Sequence, residues 1–461
     1  MNYQVINPYT GALENEYAQT SDDALQSALQ TGDTYYHAHY NEPLAIRVKQ
    51  LQAIADAFRQ NVEQLAFTAT TNMGKLHREA IGESTAAANI AQYYVDHGPA
   101  ALLPKSYTYQ DGKQATLHYD ATGIVMAIEP WNFPYTQVMR VFAPNFLLGN
   151  PVILKHAPIV AGCAELFEKL VWSTNVDHGA FQNLFLSNEQ TADAIADDRV
   201  QGVALTGSPK AGRAVAAEAA AVLTKSTLEL GGNDAFIVLK SADVDQAVKD
   251  GAVSRLRNAG QVCTSAKRFI VHEAVADEFI AKMTAVFESQ VLGDPMADAT
   301  TLAPLSSKAA QTTLQQQVDT AIANGAKVLV PGGAVTDQPG NGFKPVLLTN
   351  LLPDNPMYDT ELFGPVGQIQ VVRSTEEALS IANHSQYGLA GAVYAGTTAE
   401  AQEVAEKLET GQIFLNQPSN GYPELPFGGV KNSGYGREMS DLALYEFANQ
   451  KMIAQGTKEA H

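Results

Sequence analysis

The sequence alternates short runs of β-branched residues with stretches of helical periodicity, and this alternation restricts the fold more than any other feature. Three such runs lie at 123–128, 151–154 and 202–205, with helical candidates between them. Residues 210–222 follow a Gly-Ser turn, and Pro209 suits the first turn of a helix there. Repeated strand–helix–strand units of this kind predict an α/β fold with a Rossmann-like unit.

A second series of the same kind follows further along the chain. Residues 235–239 and 268–271 are predicted strands. A helix follows, and one of its faces is marked by Val275, Phe279, Met283 and Val286. Because 461 residues exceed what one hydrophobic core usually supports, we expect two α/β units in tandem.

Residues 106–119 contain two aromatic and β-branched runs separated by Asp111 and Gly112. An Asp-Gly pair between such runs predicts a β-hairpin. Since an isolated hairpin is only marginally stable, we expect this one to pack on another subunit or on the last segment, 443–453.

The overall charge and the apolar pattern exclude several classes of protein. The chain has 49 acidic and 30 basic residues, and its formal charge of −19 opposes the phosphate contacts that nucleic-acid binding requires. No run of about 18 apolar residues is present, and the opening residues lack the pattern of a signal peptide. Cys163 and Cys263 are too few for a disulfide framework or a cysteine-based zinc site. We therefore expect a cytoplasmic protein without a metal.

Three polar residues lie where catalysis is chemically reasonable. Cys263 lies in a loop of small residues, Glu229 is flanked by leucines that favour a raised pKa, and Asn132 lies between two prolines that stiffen the backbone. Considered alone, each residue also has a purely structural explanation. Cys263 would be a buried hydrophobic thiol, Glu229 a solvated carboxylate and Asn132 a turn amide. Cys163, at helical spacing, fits the first of these alternatives.

Five short motifs occur in a fixed order along the chain. They are Glu129-Pro-Trp-Asn-Phe-Pro134, Leu228-Glu-Leu-Gly-Gly232, Gly260-Gln-Val-Cys263, Glu361-Leu-Phe-Gly-Pro365 and Pro426-Phe-Gly-Gly429. Together they resemble the aldehyde dehydrogenase superfamily, and the resemblance covers essentially the whole chain. It implies that Cys263 is the nucleophile, Glu229 the general base for thioester hydrolysis, and Asn132 the oxyanion donor.

The resemblance also implies a nicotinamide cofactor. Gly207 and Ser208, a weak signal alone because the GxGxxG pattern is absent, are expected at the pyrophosphate. Members restricted to NAD often have a glutamate three residues after the lysine at the adenosine ribose, and this position is Pro158 here. We therefore expect NADP or NAD, with NADP preferred. The remaining expected cofactor residues are Lys155, Glu361, Trp131, Gly232 and Phe363.

Two arginines indicate which aldehyde is used. Arg140 and Arg257 stand where the succinate-semialdehyde branch of the family has arginines that hold the distal carboxylate, a natural partner for guanidinium. The alternative is ion pairing unrelated to substrate. The branch has a serine shortly before Pro-Phe-Gly-Gly, whereas this chain has Gly421, with Ser419 and Tyr422 nearby. A substrate contact is therefore expected to be either lost or replaced.

We therefore predict an NAD(P)-dependent succinate-semialdehyde dehydrogenase that forms a homodimer or homotetramer. A neutral-aldehyde or broad-range dehydrogenase of the same mechanism is the alternative, and a catalytically silent nucleotide-binding or structural protein is a more distant one. The predicted parts are a cofactor-binding domain at 1–106 and 124–231, a catalytic domain at 232–420, and an oligomerisation flap and tail at 107–123 and 438–461.

Overall fold

The computed structural model describes residues 3–456 as helices packed on two main sheets. In chain order the helices are α1 Asp22–His39, α2 Leu44–Gln60, α3 Val62–Met73, α4 His77–Ala101, α5 Thr136–Leu148, α6 Ala161–Trp172, α7 Asn188–Ile195, α8 Pro209–Ala221, α9 Val244–Leu256, α10 Glu273–Glu288, α11 Lys308–Ala323, α12 Thr375–Asn383, α13 Thr398–Ala405 and α14 Leu442–Glu446. Short 3₁₀ turns lie at Gln110–Gly112, Pro158–Val160, His178–Ala180 and Arg257–Gly260.

The strands alternate with these helices over much of the chain. In chain order they are β1 Tyr3–Ile6, β2 Leu13–Tyr17, β3 Lys105–Tyr109, β4 Lys113–Asp120, β5 Ile124–Glu129, β6 Val152–His156, β7 Phe181–Asn183, β8 Val200–Thr206, β9 Lys225–Glu229, β10 Ala235–Val238, β11 Arg268–His272, β12 Lys327–Val330, β13 Gly333–Ala334, β14 Phe343–Lys344, β15 Val346–Thr349, β16 Val366–Val372, β17 Tyr387–Gly388, β18 Gly391–Tyr394, β19 Phe414–Leu415, β20 Val430–Lys431, β21 Gly434–Tyr435 and β22 Asn449–Ala454.

The first main sheet has the strand order β21-β9-β8-β5-β6-β7. All neighbouring strands are parallel except β21, which runs antiparallel to β9. The three runs predicted from the sequence are β5, β6 and β8, and the predicted helix is α8, which begins at Pro209 and is capped by the Ser208 hydroxyl. The short strands β7 and β9 were not predicted, because neither presents a distinct β-branched run.

The second main sheet has the order β12-β15-β16-β11-β10-β18-β19, in which only the edge strand β12 pairs antiparallel. The predicted strands are β10 and β11, and the predicted helix is α10. This helix buries Ala276, Phe279, Met283 and Phe287. Val275 and Val286 are only partly buried, so the predicted apolar face is displaced by one residue at both ends.

The predicted hairpin forms from β3 and β4, which join through Gln110–Gly112 with Asp111 in the left-handed region. The tail strand β22 pairs antiparallel with β4 along six residues, so the hairpin packs on the last segment, one of the two predicted partners. Within residues 3–456, no helix is long and apolar enough to span a bilayer. The predicted domain limits remain a proposal. The strand β21 lies beyond residue 420 and pairs at the edge of the first sheet, so the chain returns to this sheet after the predicted catalytic domain.

Candidate active site

A cavity of about 360 Å³ contains Cys263, Arg140 and Arg257 in its wall. The cysteine lies in the loop between α9 and β11, and Arg140 lies on α5 of the other α/β unit, so residues from both units line the cavity. Three acidic or basic side chains not predicted from the sequence also line it, namely Lys75, Glu79 and Glu83. The volume is within the range of sites that bind small molecules.

The loop before Cys263 has an unusual backbone. Asn258, Ala259 and Gly260 are consecutive residues with positive φ, of 52°, 52° and 72°. Such conformations cost about 1–3 kcal/mol for residues other than glycine and persist where surrounding contacts enforce them. Here the Glu79 carboxylate accepts the backbone N–H of Asn258 at 3.1 Å, which helps to hold the loop.

Burial raises the pKa of the Cys263 thiol to about 12, and nearby Lys267 and Arg140 offset part of this effect. Lys267 donates to the backbone oxygens of Val262, at 3.1 Å, and of Cys263. Lys267 and Arg140 are thus two cationic neighbours that favour the thiolate. Their effect is smaller than the cost of desolvating the charged sulfur.

The Asn132 side chain is fixed by two hydrogen bonds. Its Nδ2 donates to the backbone oxygen of Gln261 at 3.0 Å, and its Oδ1 accepts from Nε2 of Gln137 at 3.1 Å. Its backbone oxygen accepts from Asn258 Nδ2, at 3.0 Å, and from Lys75 Nζ, at 2.8 Å. Because an amide nitrogen has two hydrogens, one remains available to an oxyanion while the other holds the group in place.

Lys75 and Glu83 form an ion pair whose side chains are each 1% exposed. The second oxygen of Glu83 accepts the backbone N–H of Tyr135 at 3.0 Å, and Lys75 also lies over the Phe133 ring. The pair thereby ties α4 to the loop that contains Asn132. Lys75 and Glu83 are only eight residues apart in sequence. No short motif, however, indicates that they contact residues 132–135.

Glu229 ends β9 and is 3% exposed. Neither carboxyl oxygen meets a hydrogen-bond donor among residues 3–456. Burial, together with the charge of Glu438, raises its pKa well above the usual range, as the flanking leucines indicated. A Cβ at Gly428 would lie 2.6 Å from Oε1 of Glu229, and φ is +154° there, which explains the glycine in Pro-Phe-Gly-Gly.

The two predicted substrate arginines share the cavity with Cys263 but have different partners. Arg140 pairs with Glu438 at 3.4 Å, and Arg257 donates to Oδ1 of Asn420 at 3.4 Å. A Cβ at Gly421 would lie 3.0 Å from Nη2 of Arg140, so a serine there would require the Arg140 side chain to shift slightly. Ser419 donates to a backbone oxygen at 3.5 Å and is not among the lining residues; Asn420 is.

The predicted adenosine and pyrophosphate residues lie at the carboxyl ends of β6 and β8. Lys155 makes no ion pair or hydrogen bond through its ammonium group within residues 3–456, and burial lowers its pKa. Pro158 begins the 3₁₀ turn that follows β6. Gly207 and Ser208 precede the 13-residue helix α8, whose N-terminal N–H groups favour an anion. These residues fit a dinucleotide with a phosphate near Lys155.

The predicted nicotinamide-side residues lie on segments next to the Cys263 loop. Oε1 of Glu361 accepts the backbone N–H of Gly232 at 3.2 Å and pairs with Lys267 at the same distance. The rings of Trp131 and Phe363 meet edge to face, with centroids 5.9 Å apart. The carboxylate and the rings fit the ribose and the flat ring of a nicotinamide nucleotide.

The two α/β units meet at a cavity with a single thiol, that of Cys263, in its wall, whereas the braced Asn132 and the buried Glu229 are not among its lining residues. This is the architecture of an α/β enzyme. The chain belongs to the aldehyde dehydrogenase family, whose model matches residues 1–453. The fold and the resemblance predicted from the motifs are therefore confirmed.

Individual relatives match along almost the full length. The succinate-semialdehyde dehydrogenase [NADP(+)] of Deinococcus radiodurans is 42% identical over 98% of this chain and 94% of its own length. The succinate semialdehyde dehydrogenase [NAD(P)+] of Escherichia coli K12 is 37% identical over 97% of this chain and 96% of its own. A crystal structure of the Streptococcus pyogenes succinic semialdehyde dehydrogenase with NADP+ superposes with a TM-score of 0.96 at 45% identity, covering 98% of this chain and 99% of that one.

Proposed function

We propose that this protein oxidises succinate semialdehyde to succinate with NADP or NAD. The observation that supports this most directly is the presence of Arg140 and Arg257 in the wall of the cavity that contains Cys263. Two guanidinium groups in the wall of one cavity are suited to a carboxylate. The names of the relatives described above agree with this substrate.

The proposed catalytic steps assign one role to each of three residues. The Cys263 thiolate attacks the aldehyde carbon, and the Asn132 amide stabilises the alkoxide that results. A bound nicotinamide cofactor supplies the acceptor for the hydride that the collapsing alkoxide releases. Cys263 is then acylated, and Glu229 takes a proton from the water that hydrolyses the thioester.

We propose NADP as the preferred cofactor, with NAD also accepted. Lys155 has no acidic partner within residues 3–456, and Pro158 places no carboxylate beside it. A negative charge at position 158 would repel a 2′-phosphate. The relatives named for NADP and for NAD(P), and the structure with NADP+, support the same assignment.

We also propose that the protein is a cytoplasmic homodimer or homotetramer. The six residues of β22 are all exposed on the edge of the sheet β22-β4-β3. Such an edge presents unpaired backbone groups that natural proteins usually cover. A second subunit is the expected cover.

Steady-state kinetics with succinate semialdehyde and with butanal, each with NADP and NAD, test the proposal. Arg140→Gln is expected to raise KM for succinate semialdehyde at least tenfold and to leave KM for butanal nearly unchanged. Arg373→Gln is the matched control, because Arg373 is exposed and outside the cavity. Equal losses with both aldehydes would favour the neutral-aldehyde alternative, and absence of NAD(P)H formation with any aldehyde would favour a catalytically silent protein.

A further inference from the structure

Lys267 is a buried lysine whose ammonium group has three acceptors from two parts of the site. It lies directly before β11, and its side chain is 1% exposed. The Nζ atom donates to the backbone oxygens of Val262, at 3.1 Å, and of Cys263, and it pairs with Oε1 of Glu361 at 3.2 Å. Because an ammonium group has three hydrogens, these three acceptors account for all of its donors.

Glu361, the acidic member of this contact, is also held by the main chain that follows β9. Its Oε1 accepts the backbone N–H of Gly232 at 3.2 Å. A Cβ at Gly231 would lie 2.3 Å from Oε2, so the carboxylate packs on this backbone so closely that a side chain there would collide with it. Since both donors bind Oε1, the other oxygen, Oε2, is left for a ribose hydroxyl of the cofactor.

The loop that contains Cys263 depends on contacts of this kind. Asn258, Ala259 and Gly260 have positive φ, a conformation that persists only where surrounding contacts enforce it. After the cysteine, the Ser265 hydroxyl donates to the backbone oxygen of Val262 at 2.9 Å, and Lys267 donates to the same oxygen. The backbone of the nucleophile is therefore fixed from its carboxyl side by the ammonium group that also holds Glu361.

Lys267 is surrounded by groups of both charges. Burial raises the pKa of the Cys263 thiol to about 12, and Lys267 opposes this rise more than any other group. Burial also raises the pKa of Asp234 to about 7, and Lys267 again opposes the rise most strongly. The other charged groups that face the thiol or the two carboxyls are Arg140 from α5, Arg255 from α9, Arg257 from the 3₁₀ turn and Arg268 from β11.

We infer that Lys267 is a positioning residue that joins the nucleophile to the cofactor site: one ammonium group fixes the backbone of Cys263 and the carboxylate of Glu361 relative to each other. The inference rests on the proposed roles of these two residues. With Glu361 at the nicotinamide ribose, the ammonium group sets the distance between the sulfur and the cofactor ring, on which the reaction rate depends steeply. The charge of the same group stabilises the Cys263 thiolate, because a buried cation is little screened from a neighbouring anion.

Lys267→Met tests the inference, because methionine keeps the length of the side chain and removes the charge and all three donors. In the enzyme without cofactor, iodoacetamide should alkylate Cys263 about tenfold more slowly at pH 8, since loss of the cation raises the pKa of the thiol and lowers the thiolate fraction. The Kd for NADPH, measured by its fluorescence, should rise about threefold to tenfold, because Glu361 is no longer held. Lys267→Arg keeps the charge and should recover part of both values.

The chain offers two controls. Peptide mass spectrometry separates the two cysteines, and label on the fully buried Cys163 reports unfolding. Lys282→Met is the matched control variant, because Lys282 pairs with Asp245 and Glu278 on the surface of α9 and α10 and does not line the cavity. It should keep the wild-type alkylation rate and the wild-type Kd for NADPH.

Wild-type alkylation and NADPH binding in Lys267→Met would overturn the inference. A change in only one of the two would also overturn it, since the ammonium group is inferred to act on both sites. Faster alkylation of Cys263 together with label on Cys163 would identify a purely structural role. If Lys267→Met does not fold, Lys267→Gln, which keeps two donors without the charge, is held to the same outcomes. Neither measurement uses an aldehyde, so the result is separate from that of the kinetics that test the proposed function.

Discussion

The Nη1 atom of Arg140 lies 3.4 Å from Oε2 of Glu438, and the guanidinium lies 4.2 Å from the centre of the Phe427 ring. The cation proposed to bind the substrate carboxylate is thus already paired with a carboxylate of the protein. Both side chains are largely buried, so the pair is only weakly screened. In the proposed binding mode, a substrate carboxylate would share Arg140 with Glu438 and would compete with it for the guanidinium.

Removing the competing charge should strengthen anion binding. Glu438→Gln is expected to lower Kd for succinate about threefold to tenfold, or roughly 0.7–1.4 kcal/mol, because Arg140 then has no anionic partner. Titration calorimetry measures the change, with butanol as a ligand that lacks the carboxylate. Weaker succinate binding by the variant would show that Glu438 orients Arg140 rather than competing for it.

Replacing the proposed base should separate the two halves of the reaction. Glu229→Gln is expected to form about one NAD(P)H per site and then to stop, with the steady-state rate lower by about 10²–10⁴ because water is no longer deprotonated. Rapid mixing with mass spectrometry of the quenched enzyme records the burst and the adduct on Cys263. Cys263→Ser should show neither, and a Glu229→Gln burst without an adduct would contradict the thioester.

The buried pair of Lys75 and Glu83 should contribute to both stability and catalysis. Lys75→Met leaves Glu83 charged and without its cation, so we expect the free energy of unfolding to fall by about 3–5 kcal/mol. The loop containing Asn132 also loses a hydrogen bond, so kcat should fall. Urea unfolding and kinetics measure both effects. In the double variant Lys75→Met/Glu83→Leu the stability should largely return while kcat stays low; recovery of both would assign the pair a purely structural role.

A single charge should change the choice of cofactor. Pro158→Glu places a carboxylate three residues after Lys155, where it would repel a 2′-phosphate, so KM for NADP should rise at least tenfold while KM for NAD changes little. Pro158→Ala is the neutral control and should keep the original ratio. Parallel increases for both cofactors would mean that position 158 does not face the adenosine ribose.

Activity should increase with pH. Burial raises the pKa of Glu229 above its usual range and raises that of Cys263 to about 12, so at neutral pH the Cys263 thiol is mostly protonated. Their reactive forms are the deprotonated ones, and each pH unit below a controlling pKa costs about tenfold in the reactive fraction. We therefore expect kcat/KM to rise continuously from pH 6 to pH 9. A maximum near pH 6 would contradict the assigned protonation states.

The sequence by itself determined the α/β class, the hairpin and the family, because strand runs, turn residues and motifs are local and ordered along the chain. It also identified Cys263, Glu229 and Asn132 as a group, although their roles stay proposals. Their relative positions could not be deduced from spacing, because only the family resemblance links these three residues.

Only the tertiary structure decided which groups surround those residues. Three contacts join segments that are far apart in sequence. Lys75 contacts the backbone of Asn132, Arg140 pairs with Glu438, and Glu129 lies beside Thr206. Each depends on strand register and helix packing rather than on local propensity. The electrostatics of the site follow from these contacts, because burial and neighbouring charges set the pKa of a side chain, and both are properties of the folded chain.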